Sequence, residues 1–88
     1  MIDDKRKILA KEPIVWQGDL SDDCTAEWAG LMLRAEWMDE DYWWWAVYDM
    51  EMNEITVDSS NEYPEEFKGG VVARAKAESI AKAYLGID

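Results

Sequence analysis

Residues 27–49 read EWAGLMLRAEWMDEDYWWWAVYD, and the reading of this stretch decides the fold. Ala29, Leu31, Leu33, Ala35 and Trp37 occupy the odd positions, whereas Arg34 and Glu36 fall on even ones. That alternation has the period of a strand with one buried face, here from about Glu27 to Trp37. Asp39, Glu40 and Asp41 turn the chain, and Trp43 to Asp49 runs back as the next strand. Pairing Trp37 with Trp43 sets Ala35 against Trp45 and Leu33 against Val47, so one face collects the strong hydrophobes. A slip of one residue would throw all of them to the other side, so the register is well specified.

Working outward, Met50 to Asn53 is a turn and Glu54 to Asp58 a further strand, with Ile55 and Val57 on the same odd face. Upstream, Ile14 to Gln17 is a short β-branched and aromatic strand candidate, followed by turn chemistry at Gly18 and Ser21–Asp23. Residues 3–11 read as a short helix with acidic residues at its start, Lys11 at its end and Pro13 as its stop. Pro64, Glu65 and Glu66 look like a helix start ahead of a Gly69–Gly70 break.

Val71 to Leu85 reads as the main helix, with Gly86 placed to end it. Ala73, Ala77, Ile80, Ala81 and Tyr84 form its apolar stripe; Arg74, Glu78 and Lys82 form an i,i+4 ladder opposite. Small alanines let this helix sit close over a sheet face crowded with Trp37, Trp43 and Trp45. The expected architecture is α+β over one domain, residues 1–88. An antiparallel meander of three to four strands carries the C-terminal helix packed on one face, with a short N-terminal helix.

The second face of that sheet presents Met32, Arg34, Glu36, Trp44, Ala46, Tyr48, Glu54, Thr56 and Asp58. It is half aromatic and half acidic, and large rings on an open face must be covered or used. The expected cover is the N-terminal helix, a second copy of the chain, or a foreign partner.

Charge narrows the partner. The chain carries a net charge of −11 with no histidine, and residues 12–66 hold sixteen Asp and Glu against Arg34 alone. Direct binding to nucleic acid or to an anionic membrane surface is disfavoured, because both need a basic footprint. A charged partner is expected to be basic, and the field would speed its encounter at low salt.

Chemistry finds little foothold. With one cysteine and no histidine, a zinc site of the usual kind lacks ligands, and no internal disulfide can form. The acidic runs Asp19–Asp23 and Asp39–Asp41 lack the spacing, central glycine and distal glutamate of a calcium loop. Acidic neighbours make Cys24 a poor nucleophile, and Lys68-Gly-Gly is too short for a phosphate loop. No catalytic residue, cofactor or metal is therefore assigned. No leader-like segment and no membrane-length apolar run is seen, so the expected setting is the cytoplasm.

The leading expectation is a small acidic, non-enzymatic regulatory or inhibitor-like domain. It would dock a basic protein through Trp44, Tyr48, Met32, Arg34, Glu36, Glu54 and Asp58. One version imitates nucleic acid, carboxylates standing in for phosphates. The alternatives are a homodimer with a structural or small-ligand role, and a carboxylate-based enzyme or metal protein built on Glu36, Glu54 or Asp58.

Overall fold

The computed structural model describes residues 4–40, 42–63 and 67–86. Its elements in chain order are helix α1 (Asp4–Leu9), strands β1 (Gln17–Gly18), β2 (Asp23–Trp28), β3 (Leu31–Asp39), β4 (Tyr42–Asp49) and β5 (Ile55–Ser59), a 3₁₀ turn (Ser60–Glu62) and helix α2 (Gly70–Tyr84). The strands form one antiparallel meander in the order β1-β2-β3-β4-β5, with α2 lying across β3 and β4. The chain is thus α+β, as its patterning predicts.

The β3–β4 register is the one read from the sequence. Trp37 faces Trp43, Ala35 faces Trp45 and Leu33 faces Val47. The helix follows too: Ala73, Ala77 and Ala81 are fully buried, Ile80 and Tyr84 pack beside them, and Gly86 takes a φ of +75° after the last turn. Trp45 lies at the centre of the core, tilted against Tyr63 and edge-on to Phe67, each ring 5.6 Å away.

The single strand expected from Glu27 to Trp37 is two strands. Ala29 and Gly30 have φ of +51° and +80°, the positive pair that a two-residue hairpin between right-twisted strands requires. Core residues are even-numbered before this turn (Cys24, Ala26, Trp28) and odd-numbered after it (Leu31, Leu33, Ala35). The parity switch, together with a glycine inside an apparent strand, was the available sign of the turn. At the far end Trp37 is exposed rather than covered, because a bulge between Trp37 and Asp39 ends the regular pairing. The helix instead starts against Trp43, whose ring lies 3.0 Å from where a side chain on Gly70 would begin.

The strand expected at Ile14–Gln17 is reduced to a two-residue pairing of Gln17 and Gly18 with Thr25 and Cys24. Ile14 and Trp16 pack against the core instead. On β5 a bulge opposite Val47 and Tyr48 inserts Val57, so Asp58 pairs with Val47 and Ile55, beside Asp49, is exposed. The helix start expected at Pro64–Glu66 and the third turn residue, Asp41, lie outside the described residues.

The N-terminal segment docks on the helix side of the sheet. Arg6 donates to Ala29 O (3.0 Å) and makes two bonds to the buried Asp49 carboxylate (3.0 and 3.2 Å), which also accepts from Tyr84 Oη at 2.7 Å. Trp28 Nε1 donates to Glu12 O and Trp16 Nε1 to Glu78, both at 2.8 Å. Arg74 donates to Leu20 O at 2.9 Å. Two members of the expected solvated ladder, Glu78 and Arg74, therefore hold Trp16 and Leu20 against α2.

Candidate binding surface

With α1 and α2 both on one side, no helix among the described residues lies over the opposite sheet face. Its centre is the predicted group: Met32 opposite Tyr48, Arg34 opposite Ala46, and Glu36 opposite Trp44. The extra hairpin adds residues that sequence reasoning missed, since Asp23 pairs with Glu36, Thr25 with Arg34 and Glu27 with Met32. Across β4, Thr56 pairs with Tyr48, and Glu54 is the turn residue just before β5. Asp58 does not belong to this face. The bulge turns it toward Val47, where its carboxylate accepts from Tyr63 Oη at 2.6 Å and from Ser59 N at 2.9 Å.

Arg34 is the organising group in the middle. Its guanidinium carbon lies 5.5 Å from the Trp44 ring centroid, within cation–π range. Its Nη2 is 3.5 Å from Asp23 and 3.8 Å from Glu36. These half-exposed contacts are individually weak, but they hold the stem across the face, where Ala46 is fully covered. Trp44, Tyr48 and Met32 remain half-buried, with no helix among the described residues above them. Asp23 and Glu36 flank this arginine, Glu27 pairs with Met32 and Glu54 lies at the Tyr48 end, so the face is acidic with aromatic and thioether patches between its carboxylates.

At the Tyr48 end the surface dips into a depression of about 380 Å³ lined by Met32, Tyr48, Met50 and Glu54. Met50, Met52 and Ile55 expose apolar surface around the same β4–β5 turn.

Three groups displaced from their ordinary titration, Arg6, Asp49 and Tyr84, form a cluster elsewhere. Burial pushes the Asp49 carboxyl up, but hydrogen bonds from Arg6 and Tyr84 outweigh it and hold the group below its ordinary value. Tyr84 is raised, chiefly by its hydrogen bond to Asp49. Asp49 is wholly inaccessible, so this cluster joins the N-terminal segment, β4 and α2 and is not placed to meet a substrate. Cys24 is buried as well, its Sγ 3.5 Å from Ala35 O. Among the described residues no group of three or more Cys, Asp or Glu is placed to hold a metal ion, and no helix is long and apolar enough to cross a membrane.

No protein-family model, curated protein or solved structure is significantly similar to this chain. The surface is therefore read on its own geometry.

Proposed function

We propose that this chain is a small non-enzymatic binding domain that docks a basic protein through the helix-free face of its sheet. The observation that carries the reading is the patch of Trp44, Tyr48 and Met32, set among Asp23, Glu27, Glu36 and Glu54, with Arg34 its one basic residue among the described residues. Tyrosine and tryptophan are favoured anchors of binding hot spots, and a carboxylate rim selects a basic partner and speeds its approach. A regulatory or inhibitory role follows if that partner uses the same basic surface for its own ligand. The cytoplasm fits this role, because a lone thiol such as Cys24 stays reduced there.

Self-pairing through the face is the less favoured reading. Two copies would bring like-charged rims together, which costs stability unless cations intervene.

The test combines solution mass with partner capture. Light scattering at low and high salt is expected to give a monomer at both. Immobilised wild-type chain at physiological salt should retain a defined protein of basic isoelectric point, identified by mass spectrometry. A folded Trp44→Lys/Tyr48→Lys variant should lose it. A dimer that persists in high salt and is split by that variant would overturn the reading in favour of self-association. Equal retention by variant and wild type would remove the face from the interface.

A further inference from the structure

The depression beside Tyr48 has a chemistry more specific than the acidity around it. Two thioethers, Met32 and Met50, form adaptable apolar walls, Tyr48 supplies an aromatic ring, and Glu54 contributes a carboxylate. A flexible aliphatic stem ending in a cation fits such walls, because the stem is desolvated while the head reaches ring and carboxylate. The face already contains one arrangement of this kind. Arg34 lies over Trp44 with Asp23 and Glu36 beside its guanidinium. At the Tyr48 end the ring and the carboxylate are both present, yet among the described residues no lysine or arginine pairs with Glu54.

The backbone supplies an independent observation. Asn53 and Glu54 have φ of +59° and +58°. Asparagine tolerates that conformation, whereas a glutamate there is strained and glycine would not be. Strained residues cluster at binding sites, where a side chain is held in place at the expense of backbone ease. Here the strained residue is the one that brings the carboxylate to the depression.

Resting on the reading of the face as a docking surface for a basic protein, we propose that the Met32–Tyr48–Met50–Glu54 depression is the interface anchor and receives a lysine or arginine side chain of that protein.

The experiment is heteronuclear NMR on the labelled full chain. It is titrated with an acetylated, amidated nonapeptide alternating lysine with glycine, with its arginine counterpart, and with a version whose lysines are all acetylated. The basic peptides are expected to shift the amides of Tyr48, Met50 and Glu54 and the methyl groups of Met32 and Met50 saturably. The acetylated peptide should not. Glu54→Gln should weaken binding about two- to fivefold, the range for one exposed ion pair. Glu54→Gly should weaken it similarly while melting at or above the wild-type temperature, which separates the loss from unfolding. Equal shifts with the acetylated peptide would make the depression an apolar site and overturn the proposal. Shifts centred on Trp44 and Glu36 would overturn the anchor but leave the basic-partner reading standing. Shifts confined to residues 19–22 and 39–40, or absent from the face, would overturn both.

Discussion

Replacing Asp49 by asparagine tests how the N-terminal segment is held. The carboxylate is wholly buried and takes two bonds from Arg6, one from Tyr84 and one from the Glu51 amide at 3.0 Å. Asparagine keeps the shape but removes the buried negative charge that takes two bonds from the nearly buried Arg6 guanidinium. Breaking a buried pair in this way costs about 3–5 kcal/mol. Glu51, half-exposed and 3.7 Å from Arg6 Nε, stays to compensate, which sets the expectation at the lower end, about 3 kcal/mol. A domain of this size has about 4–13 kcal/mol in total, so the melting temperature should fall by about 12–24 °C. Urea unfolding at neutral pH measures the loss directly, with an unchanged slope showing that the native fold persists. The pH dependence has a definite sign. A carboxyl held below its ordinary value contributes stability that is present above about pH 4 and lost as pH falls through the lower folded value. The gap between wild type and Asp49→Asn should therefore narrow in acid. An Arg6→Met/Asp49→Leu pair should recover most of the loss, because burying neither charge is often neutral. A single-variant loss under about 1 kcal/mol, or a gap unchanged in acid, would refute the reasoning.

Tyr84→Phe removes the 2.7 Å donor to Asp49 and should cost about 1–2 kcal/mol at neutral pH. Because the Tyr84 hydroxyl is raised above its ordinary value, its contribution is present below about pH 10 and lost as pH rises through the folded value. The wild type should thus weaken in alkali more than Tyr84→Phe does, which unfolding curves across that range will show. Among the tryptophans, Trp45 Nε1 is buried with no hydrogen-bond partner among the described residues, whereas Trp28 Nε1 donates to Glu12 O. Trp28→Phe should therefore cost about 1–2 kcal/mol more than Trp45→Phe in parallel denaturation series; the reverse order would show that the lost ring volume dominates.

The register of β3 on β4 and the buried stripe of α2 were legible because both follow local periodicity. Leu33, Ala35, Trp45 and Val47 alternate, and Ala73, Ala77 and Ala81 recur every fourth residue. The same rule failed at Ala29 and Gly30, where a two-residue turn reverses the chain while small apolar residues keep the alternation running. It failed again at Asp58, since one inserted residue, Val57, reverses parity beyond the bulge. Most of the candidate surface was readable in the same way, as Met32, Arg34, Glu36, Trp44 and Tyr48 share a face by register. The contributions of Asp23, Thr25 and Glu27 depended on recognising the hairpin.

Which face stays open was decided only by tertiary contacts. Arg6 meets Asp49 across 43 residues and Trp16 meets Glu78 across 62. These two contacts draw the N-terminal segment to the side already occupied by α2. The periodicity of an element records which of its sides avoids water, whereas the identity of what lies against that side depends on partners far away in the chain. The sequence by itself therefore determined two faces of unlike chemistry, and packing determined which of them was left uncovered.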